Sequence, residues 1–235
     1  YGVLPLYSTA TISGGTISGS KYSVYAEFNS TATISGGTIS GGENGVYAKS
    51  NSTATISGGT ISGTGGNLSK TSGVCAASNS TVIISGGEIS GYYYGVLPLY
   101  STATISGGTI SGGQYGVMAS GSSVTISDGE ISGEYSVYAV DSSVVEISGS
   151  EISGEYSVYA ADSSVVEISG GTISSDAFDI EIHDSSITLT LGEDGVGATF
   201  PGGIKVRYLT TLNEILGEGA AYWQGNTMIL PADDA

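Results

Sequence analysis

Positive charge is scarce in this chain of 235 residues. Five Lys and Arg stand against 22 Asp and Glu, so the formal net charge is −17. The few cations are also scattered, whereas a nucleic-acid binder needs clustered Lys and Arg to neutralise a row of phosphates. The charge pattern therefore excludes nucleic acid from the expected partners.

Cysteine and long apolar runs are equally scarce. The single cysteine, Cys75, cannot form a disulfide within the chain, so stability has to come from packing. No segment approaches the ~20 apolar residues that cross a bilayer, and no signal-peptide pattern opens the sequence. We expect no membrane insertion. Because the sequence begins at Tyr1, within a repeat and without methionine, we expect it to be part of a longer chain.

The chain is rich in glycine and built on a repeat. It has 39 glycines and a motif of 21 to 22 residues, centred on Ile-Ser-Gly-Gly or a close variant, that occurs eight times. The isoleucines of the eight copies are Ile12, Ile34, Ile56, Ile84, Ile105, Ile126, Ile147 and Ile168. A fixed period of this size indicates a solenoid, in which each repeat buries its apolar residues against the next.

One repeat, residues 44–64, contains the predicted strands. Glycines and asparagines break it into three runs, and apolar residues alternate with polar ones within each run. Parallel pairing of each run with its equivalent predicts an all-β fold, a right-handed single-stranded parallel β-helix with about 21–22 residues and three short strands per coil. Residues 1–175 are the predicted β-helix repeats. Residues 176–235 are the predicted final coil and C-terminal cap, with a short helix and a hairpin.

Four tyrosines, Tyr25, Tyr47, Tyr138 and Tyr159, share one outward position of their coils. Other coils carry Leu4, Cys75, Leu97 and Met118 at that position. An exposed aromatic and apolar stripe can stack against sugar rings or contact a protein. The alternative is that these side chains only stack on one another. The four tyrosines are the candidate ligand-binding residues, for a glycan or for a host or microbial surface protein.

Acidic residues recur one coil apart in the later repeats. The pairs are Glu130 with Glu151, Glu146 with Glu167, and Asp141 with Asp162. Stacked like charges repel, so either solvent screens them or Ca²⁺ binds between the carboxylates. The repeats lack the Gly-Gly-x-Gly-x-Asp motif of calcium-binding β-rolls, which favours the solvated alternative. We expect no required cofactor, with Ca²⁺ as the candidate metal for these six residues.

Paired threonines form a different surface. They are Thr9/Thr11, Thr31/Thr33, Thr53/Thr55 and Thr102/Thr104, at spacings of ~6.7 Å along the strand and ~4.8 Å between coils. This lattice resembles the Thr-x-Thr face of β-solenoid ice-binding proteins, although Ile83 and Glu146 interrupt it. Threonine is also an ordinary residue of strand surfaces, so the lattice has a structural explanation as well.

The predicted fold resembles that of pectate lyases and polygalacturonases. Lyase chemistry needs a Lys or Arg base, and the hydrolases use clustered Asp with His. Here Lys21, Lys49 and Lys70 are dispersed, and no paired-Asp motif occurs in the coils. The charge of −17 would also repel polyuronates. We therefore expect that the chain is not an enzyme.

The repeats and the last segment carry a further resemblance. The Ile-Ser-Gly-Gly-Thr-Ile-Ser-Gly and Gly-Val-Tyr-Ala motifs, and the ending at residues 212–225, resemble segments of large surface proteins of Firmicutes, including gut commensals. The resemblance implies an extracellular location, secreted or associated with the cell wall, and a role in adhesion. The expected function is a non-catalytic β-helix module of an adhesin-like protein. The alternatives are a carbohydrate-binding module, assisted by calcium, and an ice-binding protein.

Overall fold

The fold is given by a computed structural model, which describes residues 1–65, 71–183, 186–189, 197–199, 206–207, 222–224 and 227–229. These ranges contain strands and turns but no helix, and therefore no helix with the length and hydropathy of a membrane crossing. The strands stack in parallel as a β-solenoid of about eight turns. This confirms the predicted all-β parallel β-helix.

Each turn has three faces, and each face is a ladder of short strands. Face 1 contains β1 (Thr9–Ile12), β4 (Thr31–Ile34), β7 (Thr53–Ile56), β10 (Thr81–Ile84), β16 (Val144–Ile147), β18 (Val165–Ile168) and β20 (Ser186–Leu189). Face 2 contains β2 (Thr16–Gly19), β5 (Thr38–Gly41), β8 (Thr60–Gly63) and β11 (Glu88–Gly91). Face 3 contains β3 (Tyr22–Glu27), β6 (Asn44–Lys49), β9 (Ser72–Ala77), β12 (Tyr94–Leu99) and β14 (Tyr115–Ser120).

Four longer strands run from one face to the next. They are β13 (Thr102–Gly112), β15 (Ser123–Val140), β17 (Glu151–Ala160) and β19 (Gly170–Ile182). The register follows the repeat coil by coil, as in the pairing of Ile34 with Ile56 on face 1. It also holds across the one coil with six extra residues, where Ile61 pairs with Ile89. The insertion therefore falls between β8 and β9. From the sequence, the extra residues predict a loop within residues 65–72, of which residues 66–70 lie outside the described residues.

Three apolar columns fill the interior of the solenoid. Each is one inward position repeated along a face, as predicted from the alternation of apolar and polar residues. The column of face 1 includes Ile34, Ile56, Ile84, Ile105, Ile126 and Ile147; that of face 2 includes Ile39, Ile61, Ile89, Ile110, Ile131 and Ile152; that of face 3 includes Val24, Val46, Val74, Val96, Val117, Val137 and Val158. All of these side chains are at most 1% exposed. Each is worth roughly 1.5–3 kcal/mol of burial, so stacking of coils is the main source of stability.

A column of serines, buried in every coil after the exposed Ser8, runs beside the corner that precedes face 1. The backbone N–H of each serine donates to the Oγ of the equivalent serine one coil later, at 3.1–3.3 Å, from Ser8 through Ser30, Ser52, Ser80, Ser101, Ser122 and Ser143 to Ser164. Hydroxyls of this column also donate within their own coil, as Ser143 Oγ does to the carbonyl of Val140 at 2.6 Å. The ladder thus satisfies polar groups in the interior without water.

Removing one serine hydroxyl from this ladder should destabilise the fold. Ser143→Ala leaves the N–H of Ser122 without its acceptor in a buried site, which should cost about 1–3 kcal/mol of unfolding free energy. Ser148→Ala is the matched control, because Ser148 is exposed in the same coil and should change stability by less than ~0.5 kcal/mol. Chemical denaturation of both variants measures the difference. Equal stabilities would show that the ladder contributes nothing.

The parallel ladder continues past residue 175. β18 pairs with β20, and β19 pairs with β21 (Gly197–Thr199) and β22 (Val206–Arg207). β23 (Tyr222–Gln224) and β24 (Thr227–Ile229) form a separate antiparallel pair. The short helix predicted to start near Thr211 lies outside the described residues.

Candidate functional site

Face 3 carries two adjoining aromatic columns. The column predicted from the sequence contains Tyr25, Tyr47, Tyr138 and Tyr159. It is the second tyrosine column, because its residues follow those of the other column along each strand. The first tyrosine column lies beside it and was not predicted; it contains Tyr22, Tyr94, Tyr115, Tyr135 and Tyr156, and ends at Phe178. Together they form an aromatic surface that extends over most of the described coils.

A bend at the start of each face 3 strand brings the two columns together. Residues three apart on a regular strand point to opposite sides, yet the rings of Tyr22 and Tyr25 are 5.2 Å apart. The bend lies at the position of Ser23, which is fully buried and donates through its hydroxyl to the carbonyl of Ser40. Two successive residues, Ser23 and Val24, therefore point inward, and the tyrosines on either side of them both point outward.

The rings of each column stack on one another along the rod. Centroid distances between neighbours in the second column are 5.2 Å for Tyr25 with Tyr47 and 4.4 Å for Tyr138 with Tyr159, at interplanar angles of 15° and 7°. In the first column Tyr135 stacks on Tyr156 at 4.7 Å. These distances are in the range in which aromatic pairs attract.

The predicted exposure of the second column is wrong in part. Tyr25 is only 7% exposed, and Cys75 and Leu97 of the same column are buried at 4% and 7%. Tyr47, Tyr138 and Tyr159 are half-buried. The cause is the stacking itself, because each ring covers the faces of its neighbours. A ligand would therefore meet mainly ring edges and hydroxyl groups, except where the stack is broken.

Burial also changes the acidity of this surface. It raises the pKa of Tyr115 to about 12, and it raises the pKa values of Tyr47 and Tyr138 above the usual range. For Tyr25, burial and a hydrogen bond with the Glu27 carboxylate both raise the pKa. Burial raises the pKa of the Cys75 thiol to about 12. Tyr25, Tyr47, Tyr115 and Tyr138 thus stay protonated and neutral over the whole physiological range.

Alkaline pH should destabilise the protein through these tyrosines. The pKa values of Tyr115 and Tyr138 in the folded state lie above the usual tyrosine value of about 10, so the stability that they add is complete below about pH 10 and is lost as the pH rises towards 12. Denaturant unfolding at about pH 8 and about pH 11, with the phenolate absorbance recorded in parallel, tests this. An unfolding free energy that does not fall across this interval would contradict it.

The aromatic surface is interrupted at one coil, and a cleft of about 300 Å³ lies there. β9 carries Ser72 in the first column and Cys75 in the second. The residues around the cleft are Tyr22, Glu43, Asn44, Tyr47, Cys75, Tyr94, Leu97, Leu99 and Met118. Tyr47 and Tyr94, on the coils before and after β9, have no tyrosine of β9 stacked between them.

The predicted acidic pairs are exposed and lie on separate parts of the coil. Glu130 pairs in register with Glu151 on face 2, and Glu146 pairs with Glu167 on face 1. Asp141 and Asp162 both occupy a corner, in the left-handed conformation with φ of 56° and 54°. Each pair is one rung apart, about 4.8 Å. Two carboxylates supply at most four of the six to eight oxygens that Ca²⁺ takes, so a bound ion would need water or ligand oxygens as well.

The threonine lattice of face 1 is in register. Thr31 pairs with Thr53, and Thr53 pairs with Thr81, which pairs with Thr102. In the neighbouring row, Ile83 stands between Thr55 and Thr104. The rows end where Val144 and Glu146 follow Ser123 and Thr125.

The fold and the site define a parallel β-helix domain with an aromatic face. Residues 67–191 match the family described as "Periplasmic copper-binding protein (NosD)". Because the match covers more than half of the chain, the chain belongs to the NosD family. No curated protein and no solved structure gives a significant match.

The residues present do not fit a copper site. Copper prefers clustered imidazole, thiolate and thioether ligands, but the chain has one histidine, one cysteine and two methionines. His183 contacts Glu181 at 2.9 Å, while Cys75 and Met118 are two rungs apart with Leu97 between them. Across residues 1–65 and 71–183, no three His, Cys, Asp or Glu side chains form a group that could hold a metal ion.

Proposed function

We propose that the chain is a non-catalytic module of a bacterial surface protein, acts outside the cytoplasm, and binds a glycan or a surface protein of a host or another microbe. The pair of tyrosine columns on face 3 carries this proposal. The columns repeat the same aromatic contact at ~4.8 Å intervals along a rigid rod. A repeated contact suits adhesion, because several weak contacts made together give a strong attachment.

Two further observations support a binding role without catalysis. In the described part of the chain, no three His, Cys, Asp or Glu side chains form a group that could hold a metal ion, and Lys21 and Lys49 lie 3.7 Å from Glu43 and Glu27. The family name places relatives in the periplasm, which supports a location outside the cytoplasm. Secretion and attachment to the cell wall belong to this proposal.

The carbohydrate-binding alternative narrows the partner to a glycan. Tyrosine is suited to sugar contacts because its ring packs against apolar C–H groups while its hydroxyl forms hydrogen bonds. Under this alternative, Ca²⁺ held by the exposed acidic pairs would contribute by bridging to sugar hydroxyls.

A glycan array combined with a cell-adhesion assay tests the proposal. The protein is applied with Ca²⁺ and, separately, with a chelator, alongside a variant with Tyr138→Leu and Tyr159→Leu. We expect retention of the unmodified chain and at least about tenfold weaker retention of the variant, because two stacked rings are lost. Loss of retention in chelator would assign a role to Ca²⁺.

The matched control changes face 1 instead of face 3. A variant with Thr31→Ala and Thr33→Ala should be retained as well as the unmodified chain. If the threonine variant loses retention and the tyrosine variant keeps it, the proposed face is wrong. The register of the threonine rows favours one other candidate function, ice binding. Ice binding would be supported if the unmodified chain shapes ice crystals and the threonine variant does not.

A further inference from the structure

The break in the aromatic surface has the depth of one ring. Tyr47 lies one rung before β9 and Tyr94 one rung after it, so the two tyrosines are about 9.6 Å apart along the rod. Stacked rings attract at centroid distances of 4.5–7 Å. Tyr47 belongs to the second column and Tyr94 to the first, and rings of the two columns within one coil are 5.2–5.4 Å apart. A six-membered ring placed midway would therefore lie ~4.8 Å along the rod and ~2.7 Å sideways from each tyrosine, which is about 5.5 Å from both and within the range of offset stacking.

Among the described residues, no stacked ring covers the face that Tyr47 or Tyr94 turns toward β9; Tyr93 contacts Tyr94 in a T-shaped arrangement, at a centroid distance of 4.7 Å. Tyr47 stacks on Tyr25 at 5.2 Å on its other side, and Tyr94 stacks on Tyr115 at 5.4 Å. Between them the coil carries only the small side chains of Ser72 and Cys75. Both faces are thus available for a ligand.

Polar groups at the slot favour a hydroxylated ligand. Asn44 is 6% exposed and lines the cleft, and its Oδ1 accepts a hydrogen bond from the hydroxyl of Ser72. Its amide group is therefore oriented and can donate to a ligand hydroxyl. Leu97 adds an apolar wall. A flat, purely apolar ligand would leave the Asn44 amide without a hydrogen bond, which is unfavourable.

The charge around the slot selects against anions. The chain carries a net charge of −17, and the one acidic residue described at the cleft, Glu43, is paired with Lys21 at 3.7 Å, which leaves no free cation among the described residues there for an anionic ligand. A uronic acid or another acidic sugar would be repelled, whereas a neutral sugar has no such penalty.

We propose that this slot binds one uncharged six-membered sugar ring of a glycan, stacked between Tyr47 and Tyr94, a proposal that rests on the glycan-binding function above. The hydrophobic C–H faces of the ring lie against the tyrosines, and a ring hydroxyl accepts a hydrogen bond from Asn44. The ligand thereby completes the aromatic stack at the one coil in which both columns lack a tyrosine and an open cleft remains.

The decisive variant is Cys75→Tyr, which supplies the missing ring of the second column and fills the slot. The full chain is titrated with methyl glucopyranoside and methyl galactopyranoside, with glucuronate as the charged counterpart, by saturation-transfer NMR. We expect binding of at least one uncharged sugar, no binding of glucuronate, and loss of binding in Cys75→Tyr without a fall in melting temperature. Sugar binding by Cys75→Tyr that equals that of the unmodified chain would overturn the proposal.

A second pair of variants keeps the test valid if Cys75→Tyr does not fold. Tyr94→Leu should weaken sugar binding about two- to tenfold, because a ring face is lost. Tyr7→Leu, at an exposed tyrosine outside both columns, should leave it unchanged. Equal effects of the two changes on sugar binding would overturn the proposal that the sugar binds in the slot. If Cys75→Tyr still retains glycan while the variant with Tyr138→Leu and Tyr159→Leu does not, the slot is rejected and the proposed function stands. If the unmodified chain retains no glycan, glycan binding is rejected altogether.

Discussion

Gly112→Ala is expected to be among the most destabilising single changes in this protein. Gly112 ends β13, at the corner where the chain turns from face 2 to face 3. A Cβ atom there would lie 1.7 Å from the carbonyl oxygen of Tyr115 and 2.7 Å from the backbone nitrogen of Gly95. Both are backbone atoms held in the parallel ladder, so relief requires the ladder itself to move. We expect a loss of more than about 3 kcal/mol of unfolding free energy.

Gly14→Ala is the control for this prediction. Gly14 lies at a turn of the first coil, and a Cβ built there has no described atom within 4 Å. Its replacement should be neutral or stabilising by up to about 1 kcal/mol, because alanine restricts the unfolded chain. Denaturant melts of both variants supply the measurement. If Gly112→Ala were as stable as Gly14→Ala, the close approach of backbone atoms to Gly112 at this corner would be contradicted.

Ile105→Ala is expected to remove the second large contribution, the packing between coils. Ile105 is fully buried in the column of face 1, between Ile84 of the preceding coil and Ile126 of the following coil. Truncation leaves a cavity that both neighbours line, which should cost about 2–5 kcal/mol. In a solenoid each coil contacts only its neighbours, so unfolding should also become less cooperative.

Ile83→Ala tests whether this effect comes from burial. Ile83 precedes Ile84 on β10, but its side chain points outward and is 37% exposed. We expect a change below about 1 kcal/mol, from the area that it still buries. Hydrogen exchange can locate the effect, because Ile105→Ala should accelerate exchange first in the neighbouring strands. Similar losses in the two variants would show that the column does not act as a core.

The sequence was sufficient to predict the architecture because the apolar positions repeat with the coil. Ala54 and Ile56 were expected inside and Thr53 and Thr55 outside, and the burial of β7 agrees. Asn29, Asn51 and Asn79 recur at one position of the repeat, asparagine tolerates the left-handed conformation of a turn, and all three adopt it, with φ of 56°, 61° and 59°. These features depend on local sequence and on identical neighbours, which a repeat makes visible.

Contacts between coils that depend on polar residues could not be predicted in this way. By hydropathy, Ser52 and Ser80 look like surface residues. In the structure the backbone N–H of Ser52 donates to the hydroxyl of Ser80, 28 positions later, and hydropathy carries no information on such a hydrogen bond. Strict alternation would place residues three apart, such as Tyr22 and Tyr25, on opposite sides, but the bend at Ser23 brings both rings to the outside. The recurrence of tyrosine at the first-column position was the signal that could have revealed it.

The family name and the residues of this chain point to different chemistry. The NosD description names copper, whereas the described residues bring together tyrosine rings, neutral hydroxyls and dispersed carboxylates. Binding through rings and hydroxyls is the chemistry that these residues can perform. The fold supports it by holding the rings of successive coils in fixed register.

Footprinting of the bound protein tests the central claim most directly. Hydroxyl radicals oxidise exposed aromatic side chains, so the protein is oxidised alone and together with the glycan or cells that retain it, and each tyrosine is quantified by mass spectrometry. We expect protection of face 3, strongest at Tyr47 and Tyr94 beside the slot. Tyr7 and Phe28, which stack on each other at the corner where face 3 ends, should be oxidised equally in the free and bound protein. Protection confined to the face 1 side, or none on face 3, would contradict it.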